Sequence, residues 1–202
     1  MKIILIRHGM TPGNKEKRYI GLTDEDLSAE GRVQISEAVQ EQRYPKADMV
    51  YVSPLKRCRK TAEMIYPHFE HISCEALKEC DFGEFENKNY LELSGNENYQ
   101  KWIDSNGSLG FPKGETPEGF KSRCQNAYEK IIKSIQDKDV AFVVHGGTIM
   151  AILEKYGEPK KSFYDWQLKN GEGYLCELKE EEPSRYGTIT VLKKLGGTGE
   201  WK

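Results

Sequence analysis

The chain has 202 residues, enough for one domain with a sizeable core. Its 30 Lys and Arg against 32 Asp and Glu leave a net charge of −2, so no bulk charge draws it to nucleic acid or to an anionic membrane. With 37% apolar and 31% charged residues it has the composition of a soluble globular protein, and no apolar run is long enough to span a bilayer.

The first apolar run, Ile3–Ile6, is short and continuous, as in a strand covered on both faces. It starts directly after Met1-Lys2, so no signal peptide is expected. Arg7, His8 and Gly9 follow at its end. Ser28 reads as the cap of a helix to about Gln42, with Val33, Ile35, Ala38 and Val39 as its apolar residues. Met49–Val52 is a second strand. Ser53-Pro54 then reads as an N-cap and first-turn proline, opening a helix to about Met64. His68 and His71 read as surface residues. The polar, aromatic and glycine-dotted stretch Asn87–Gly114 reads as a small inserted lid. Thr116-Pro117 repeats the cap signature, and Phe120, Cys124, Ala127 and Ile131 form a helical stripe behind it. Val140–Val144 is a third strand, and Gly146-Gly147-Thr148 opens a helix to about Lys155. Tyr174–Leu178 and Thr188–Leu192 read as tail strands that add an antiparallel edge, with the charge run Lys179–Pro183 as a solvated turn between them.

Strand and helix alternate, which predicts an α/β fold with a mainly parallel sheet. One domain over residues 1–202 is expected, with a lid-like insertion at about 87–114. The five cysteines (Cys58, Cys74, Cys80, Cys124, Cys176) are odd in number and form no CxxC pair, so reduced thiols in an intracellular, cytoplasmic protein are expected.

Open α/β sheets bind ligands at the carboxyl ends of their parallel strands. Arg7 and His8 stand at the first such end. Ser53 and, one turn later, Arg57 stand at the second. His145 and two glycines stand at the third. Two of the chain's four histidines therefore converge with two arginines. Guanidinium forks suit phosphate or carboxylate oxygens, and a helix start adds N–H donors, so a dianionic phosphoryl group fits best. One histidine can attack phosphorus as a neutral imidazole. A proton for the leaving alcohol can come from Glu79, Asp81 or Glu84 in "LKECDFGEFEN". Singly, these residues have plain readings: Arg57 as part of a solvated basic helix face, His145 as a buried structural histidine. Their joint placement carries the argument. No HxH, HxxxH or HExxH spacing suggests a metal, and neither GxSxG nor a P-loop occurs.

"LIRHGMTPGN", "YVSPLKRCRKTA", "LKECDFGEFEN" and "VVHGGTIMAIL" occur in the order that resembles the histidine phosphatase (phosphoglycerate mutase-like) superfamily, across Leu5 to Leu153. The resemblance implies a three-layer α/β/α sandwich and a phosphohistidine mechanism with neither metal nor cofactor. It implies His8 as nucleophile, Arg7, Arg57 and His145 around the phosphate, and Glu79 as proton donor. Thr11, Asn14 and the backbone N–H of Gly146 would also touch the phosphate. "RYIGLTDEDLSAEGR" is similar to a segment of alpha-ribazole phosphatases and related small bacterial phosphatases, which makes Gly21 and Thr23 further expected substrate-binding positions. "FPKGETPEGFKSR" resembles their P-x-G-E-[ST] segment. Met10 and Met150 depart from common family residues. The true mutases are longer, so hydrolysis of a small phosphorylated metabolite is expected, with alpha-ribazole 5'-phosphate as the named candidate. A phosphoglycerate mutase is the alternative, and a non-catalytic phosphate-binding module the minor one. No nucleic-acid or membrane partner is expected; a homodimer is the oligomeric candidate.

Overall fold

In the computed structural model, which describes residues 1–181 and 184–196, strand β1 (Lys2–Arg7) lies near the middle of the sheet. Ile3 and Leu5 face one layer and Ile4 and Ile6 the other, and all four are fully buried. This is the period-2 alternation of a pleated strand with helices on both sides. Along the chain follow α1 (Pro12–Lys15), α2 (Ala29–Gln40), β2 (Met49–Val52), α3 (Lys56–Ile65), β3 (His71–Ser73) and α4 (Glu97–Asp104). Then come α5 (Pro117–Ser134), β4 (Val140–Val144), α6 (Gly146–Tyr156), β5 (Gly157–Glu158), β6 (Gly173–Glu181) and β7 (Ser184–Leu195).

The sheet order is β3-β2-β4-β1-β6-β7-β5. The first four strands run parallel, β6 and β7 are antiparallel to their predecessors, and β5 pairs parallel with β7. The tail strands therefore sit inside the sheet, and the two-residue β5 forms that edge. Helices α5 and α6 cover one face, with Ala127, Tyr128, Ile131, Ile149 and Ile152 against Ile3, Leu5 and Phe142. Ala62 of α3 and Tyr66 cover the other, against Ile4, Ile6, Val50 and Val52. The α/β/α layering is as expected.

Helix α3 begins later than its sequence suggests. Its cap position is Leu55, with no side-chain capping bond, and the N–H of Lys56 instead donates to Asp24 Oδ1 at 2.7 Å. A distant carboxylate thus satisfies an orphan donor of the first turn, which frees Ser53 for another partner. Thr116 does cap α5, as expected. His68 is exposed, but His71 is half-buried in β3 and its Nε2 bonds to the Tyr66 carbonyl at 3.0 Å. Strand β6 runs on to Glu181, while Glu182 and Pro183 of the expected turn lie outside the described residues. All five cysteines are free. Among the described residues, no helix is long and apolar enough to cross a membrane.

Candidate active site

In register, Arg7 of β1 pairs with Val144 of β4, and Val52 of β2 with Val143. Three parallel strands therefore end together and deliver His8, Ser53 and His145 to one edge. The His8 N–H donates to the Val144 carbonyl at 3.0 Å, so the ladder holds the backbone one residue beyond the strand. The Gly9 N–H donates to Thr61 Oγ1 at 3.0 Å, and that hydroxyl donates to the Arg57 carbonyl at 2.7 Å. The backbone at Gly9 is outside the left-handed region; a Cβ there would come within 3.0 Å of Ile35. The tight approach to Ile35 of α2 and to Leu27 favours glycine there.

The His8 ring is 3% exposed, and its Nδ1 lies 2.7 Å from the Gly9 carbonyl. A carbonyl only accepts, so Nδ1 carries the proton and Nε2 keeps its lone pair. Burial, and then the charges of Arg57 and Arg7, hold the His8 pKa well below its ordinary value. The imidazole is neutral near pH 7.

His145 caps α6 and is fully buried, its ring edge-on to His8 with centroids 5.2 Å apart. Its Nδ1 accepts from Arg57 Nε at 3.3 Å, so Nε2–H donates to Ser53 Oγ at 2.7 Å. Cys58 Sγ lies 3.5 Å from the same Nε2. Burial first, then Arg57, His8 and Arg7, lower the pKa of His145 well below the ordinary value too.

Arg57 is not on a solvated face: it is fully buried while Lys56 and Arg59 beside it are exposed. Besides His145, its guanidinium donates to the carbonyls of Thr23 (2.8 Å), Gly21 (2.7 Å) and Ile20 (3.4 Å). Gly21 and Thr23, expected at the substrate, are here bonded within the protein. Their carbonyls hold Arg57, while their N–H groups and the Thr23 hydroxyl turn to the Glu86 carboxylate. Thr11 is buried and caps α1 through the Asn14 N–H. Asn14 Oδ1 accepts from Asn170 Nδ2 at 2.9 Å. None of these four residues lines the large cavity next to the site.

Arg7 differs from Arg57. Its Nη1 donates to the Leu168 carbonyl at 2.5 Å, but its Nε, directly beside Gly146, is buried without a partner among the described residues. Glu79 lies across from it. One carboxyl oxygen accepts from the Cys80 N–H (3.0 Å) and the other from the Gly147 N–H (3.1 Å). Burial outweighs these bonds and the nearby Arg57 and Arg7, and raises the Glu79 pKa above the ordinary carboxylate value. Asp81 and Glu84 are engaged elsewhere, in a turn with the Gly83 N–H and in a surface pair with Lys113. Of the three acids, only Glu79 is part of the cavity wall.

That cavity holds about 520 Å³, and its wall includes Arg7 beside Gly146 and Glu79 beside Gly147. Trp102 and Phe111, from the 87–114 segment, join Tyr19, Phe82, Phe120 and Phe163 in its aromatic walls, and Met150 lies among them. Thr61 and Asn170 escape the sequence reading because they carry no local signal, whereas Ser53 is placed at the right strand end but reads there as a helix cap. Among the described residues, no group of three or more His, Cys, Asp and Glu side chains gathers as a metal site.

The sequence model of the histidine phosphatase superfamily (branch 1) matches residues 3–186. The chain belongs to this superfamily. This histidine phosphatase is 30% identical over 182 residues to an uncharacterized phosphatase, PhoE, of Bacillus subtilis, covering 89% of this chain and 90% of that one. It is 33% identical over 190 residues to a metal-independent phosphoserine phosphatase of Arabidopsis thaliana, covering 90% and 78%. Its structure superposes on a phosphoserine phosphatase of Entamoeba histolytica, solved with 3-phosphoglyceric acid, with a TM-score of 0.77 at 28% identity and 98% of both chains. An alpha-ribazole phosphatase of Shigella flexneri shares the fold, with a TM-score of 0.80 at 24% identity over 95% of this chain and 96% of that one. The protein is thus an enzyme, a phosphatase of the phosphoglycerate mutase-like kind.

Proposed function

We propose that this phosphatase cleaves a small phosphate monoester through a phosphohistidine on His8. The observation that carries the reading is the His8 tautomer: Nδ1–H is tied to Gly9, which leaves the Nε2 lone pair as nucleophile. Nε2 attacks phosphorus and the bond to the leaving oxygen breaks. Glu79, protonated beforehand, gives that oxygen its proton. Glu79, now a carboxylate, takes a proton from water as the water oxygen attacks phosphorus. Inorganic phosphate leaves and the Nε2 lone pair returns. The unpartnered Arg7 Nε–H and the amino end of α6 suit the phosphoryl oxygens, with the buried charge of Arg57 close by.

As substrate we favour alpha-ribazole 5'-phosphate, whose flat ring matches the aromatic walls of the cavity to which the 87–114 segment contributes. The wall inventory supports hydrolysis over a mutase, which must also hold the substrate's carboxylate. Arg7 and Lys121 are the cations of the wall, and Lys121 is paired with Glu154 at 2.8 Å.

The test is His8→Ala together with rapid-quench trapping of labelled enzyme. Loss of turnover and an acid-labile phosphoenzyme in the wild type alone are expected; normal turnover of the variant overturns the mechanism. Chelator leaves the activity unchanged on this reading. A kcat/KM for phosphoserine or 3-phosphoglycerate above that for alpha-ribazole 5'-phosphate overturns the substrate choice.

A further inference from the structure

Glu79 sits in a stretch that no helix or strand holds. It lies between two 3-10 turns, Glu75–Leu77 and Gly83–Phe85. Proton transfer to a leaving oxygen needs the carboxyl placed to within a fraction of an ångström, so something outside this stretch must fix it.

Arg123, two turns into α5, supplies that grip. Its Nη1 donates to the carbonyls of Ala76 (3.0 Å) and Lys78 (2.9 Å), and Nη2 to the carbonyl of Glu79 itself (3.2 Å). Its Nε and Nη2 donate to the two carboxylate oxygens of Glu115 at 2.8 and 2.7 Å. A guanidinium has five N–H donors, and these five acceptors use all of them. Glu115 completes the frame on the far side of Glu79: its Oε2 accepts from the Asp81 N–H, and its own N–H donates to the Asp81 carbonyl, both at 3.0 Å. The backbone is therefore pinned before, at and after Glu79. All five donors of Arg123 are taken, and both carboxylate oxygens of Glu115 accept from Arg123 or from the Asp81 N–H, so neither side chain has a group left to offer a substrate. Both belong to the "GETPEGFKSR" segment, which the proposed mechanism leaves without a role.

We propose that Arg123 and Glu115 form a clamp that positions the Glu79 carboxyl and thereby sets how well it protonates the leaving group. This rests on the acid role proposed above for Glu79. Both are positioning residues. A lysine at 123 offers three donors on one tip and cannot span five acceptors in a plane.

The experiment compares two substrates. An alkyl phosphate needs a proton on its leaving oxygen, whereas p-nitrophenyl phosphate releases a stable anion and does not. In Arg123→Lys and Glu115→Gln, kcat/KM for the alkyl ester is expected to fall at least about 10-fold, part of the 10²–10⁴ that a general acid contributes. The value for p-nitrophenyl phosphate is expected to stay within about threefold of wild type. Circular dichroism and Tm identify any variant that fails to fold, and the other variant then carries the test. Glu79→Gln is the control. If it shows the selective loss and the clamp variants lose both substrates in parallel, or neither, the clamp is overturned alone. If Glu79→Gln itself shows no selectivity, the acid role falls and the clamp with it.

Discussion

Ser53 Oγ lies 2.7 Å from His145 Nε2, joining the ends of two neighbouring parallel strands. With Arg57 Nε donating to Nδ1, the serine fixes one neutral tautomer of a fully buried histidine. Ser53→Ala leaves the Nε2–H with only the Cys58 sulfur at 3.5 Å, a weak acceptor. A loss of about 1–3 kcal/mol in urea unfolding is expected, the cost of a buried donor left unsatisfied. A variant as stable as wild type would show that the bond contributes nothing.

Gly147 leaves room for the acid. A Cβ built there would stand 2.3 Å from Glu79 Oε1 and 3.0 Å from the Phe120 ring. Gly147→Ala must therefore displace the carboxyl or push α6 away. Turnover of an alkyl phosphate is expected to drop on the order of 10- to 100-fold, since positioned general acids contribute about 10²–10⁴. Gly146→Ala has as its nearest neighbour the Arg7 side chain, at 3.3 Å, and is expected to cost less.

The pH dependence of turnover follows from two shifts of opposite direction. The His8 pKa is lowered by burial and by Arg57 and Arg7, so the nucleophile stays neutral through the ordinary histidine range. The Glu79 pKa is raised by burial, and the acid is lost as pH climbs through that raised value. A phosphate monoester's second proton is lost near pH ~6, and earlier from the nitrophenyl ester, so above about pH 7 both substrates are dianions and the ratio of alkyl to nitrophenyl kcat/KM isolates the enzyme's acid. That ratio is expected to fall with rising pH in the wild type and to be flat in Glu79→Gln. A flat wild-type ratio would remove Glu79 as the donor.

The buried histidines also tie stability to pH. Their folded pKa values lie well below 6.5, so below that pH the unfolded chain binds protons the native state refuses. Stability then falls on acidification, by up to about 1.4 kcal/mol per pH unit for each histidine in that window. Glu79 acts with the opposite sign between 4.5 and its raised folded pKa, because there the native state holds the extra proton. Two histidines against one carboxyl leave a net loss toward acid. Urea unfolding of His8→Asn at several pH values is expected to show a shallower loss than wild type; an equal slope would mean that His8 titrates normally.

Much of this molecule is legible in the chain itself. Ile3–Ile6, Met49–Val52 and Val140–Val144 announce strands because burial on both faces demands unbroken apolar runs. Parallel pairing then obliges Arg7, His8 and His145 to share an edge, whatever the loops do. The three-residue β3 and two-residue β5 are too short to carry a pattern, and only pairing makes them strands. The sequence likewise determined that histidine, arginine and carboxylate chemistry would meet, but not which atoms would be free. Tertiary contacts decided that. The Gly9 carbonyl accepts from His8 Nδ1–H, three loop carbonyls accept from Arg57, and Arg7 Nε has no partner among the described residues. They also turned Ser53 from a helix cap into a partner of His145, 92 residues away. A hydrogen bond is satisfied by whichever acceptor lies within about 3 Å, and proximity between distant segments is a property of the folded chain.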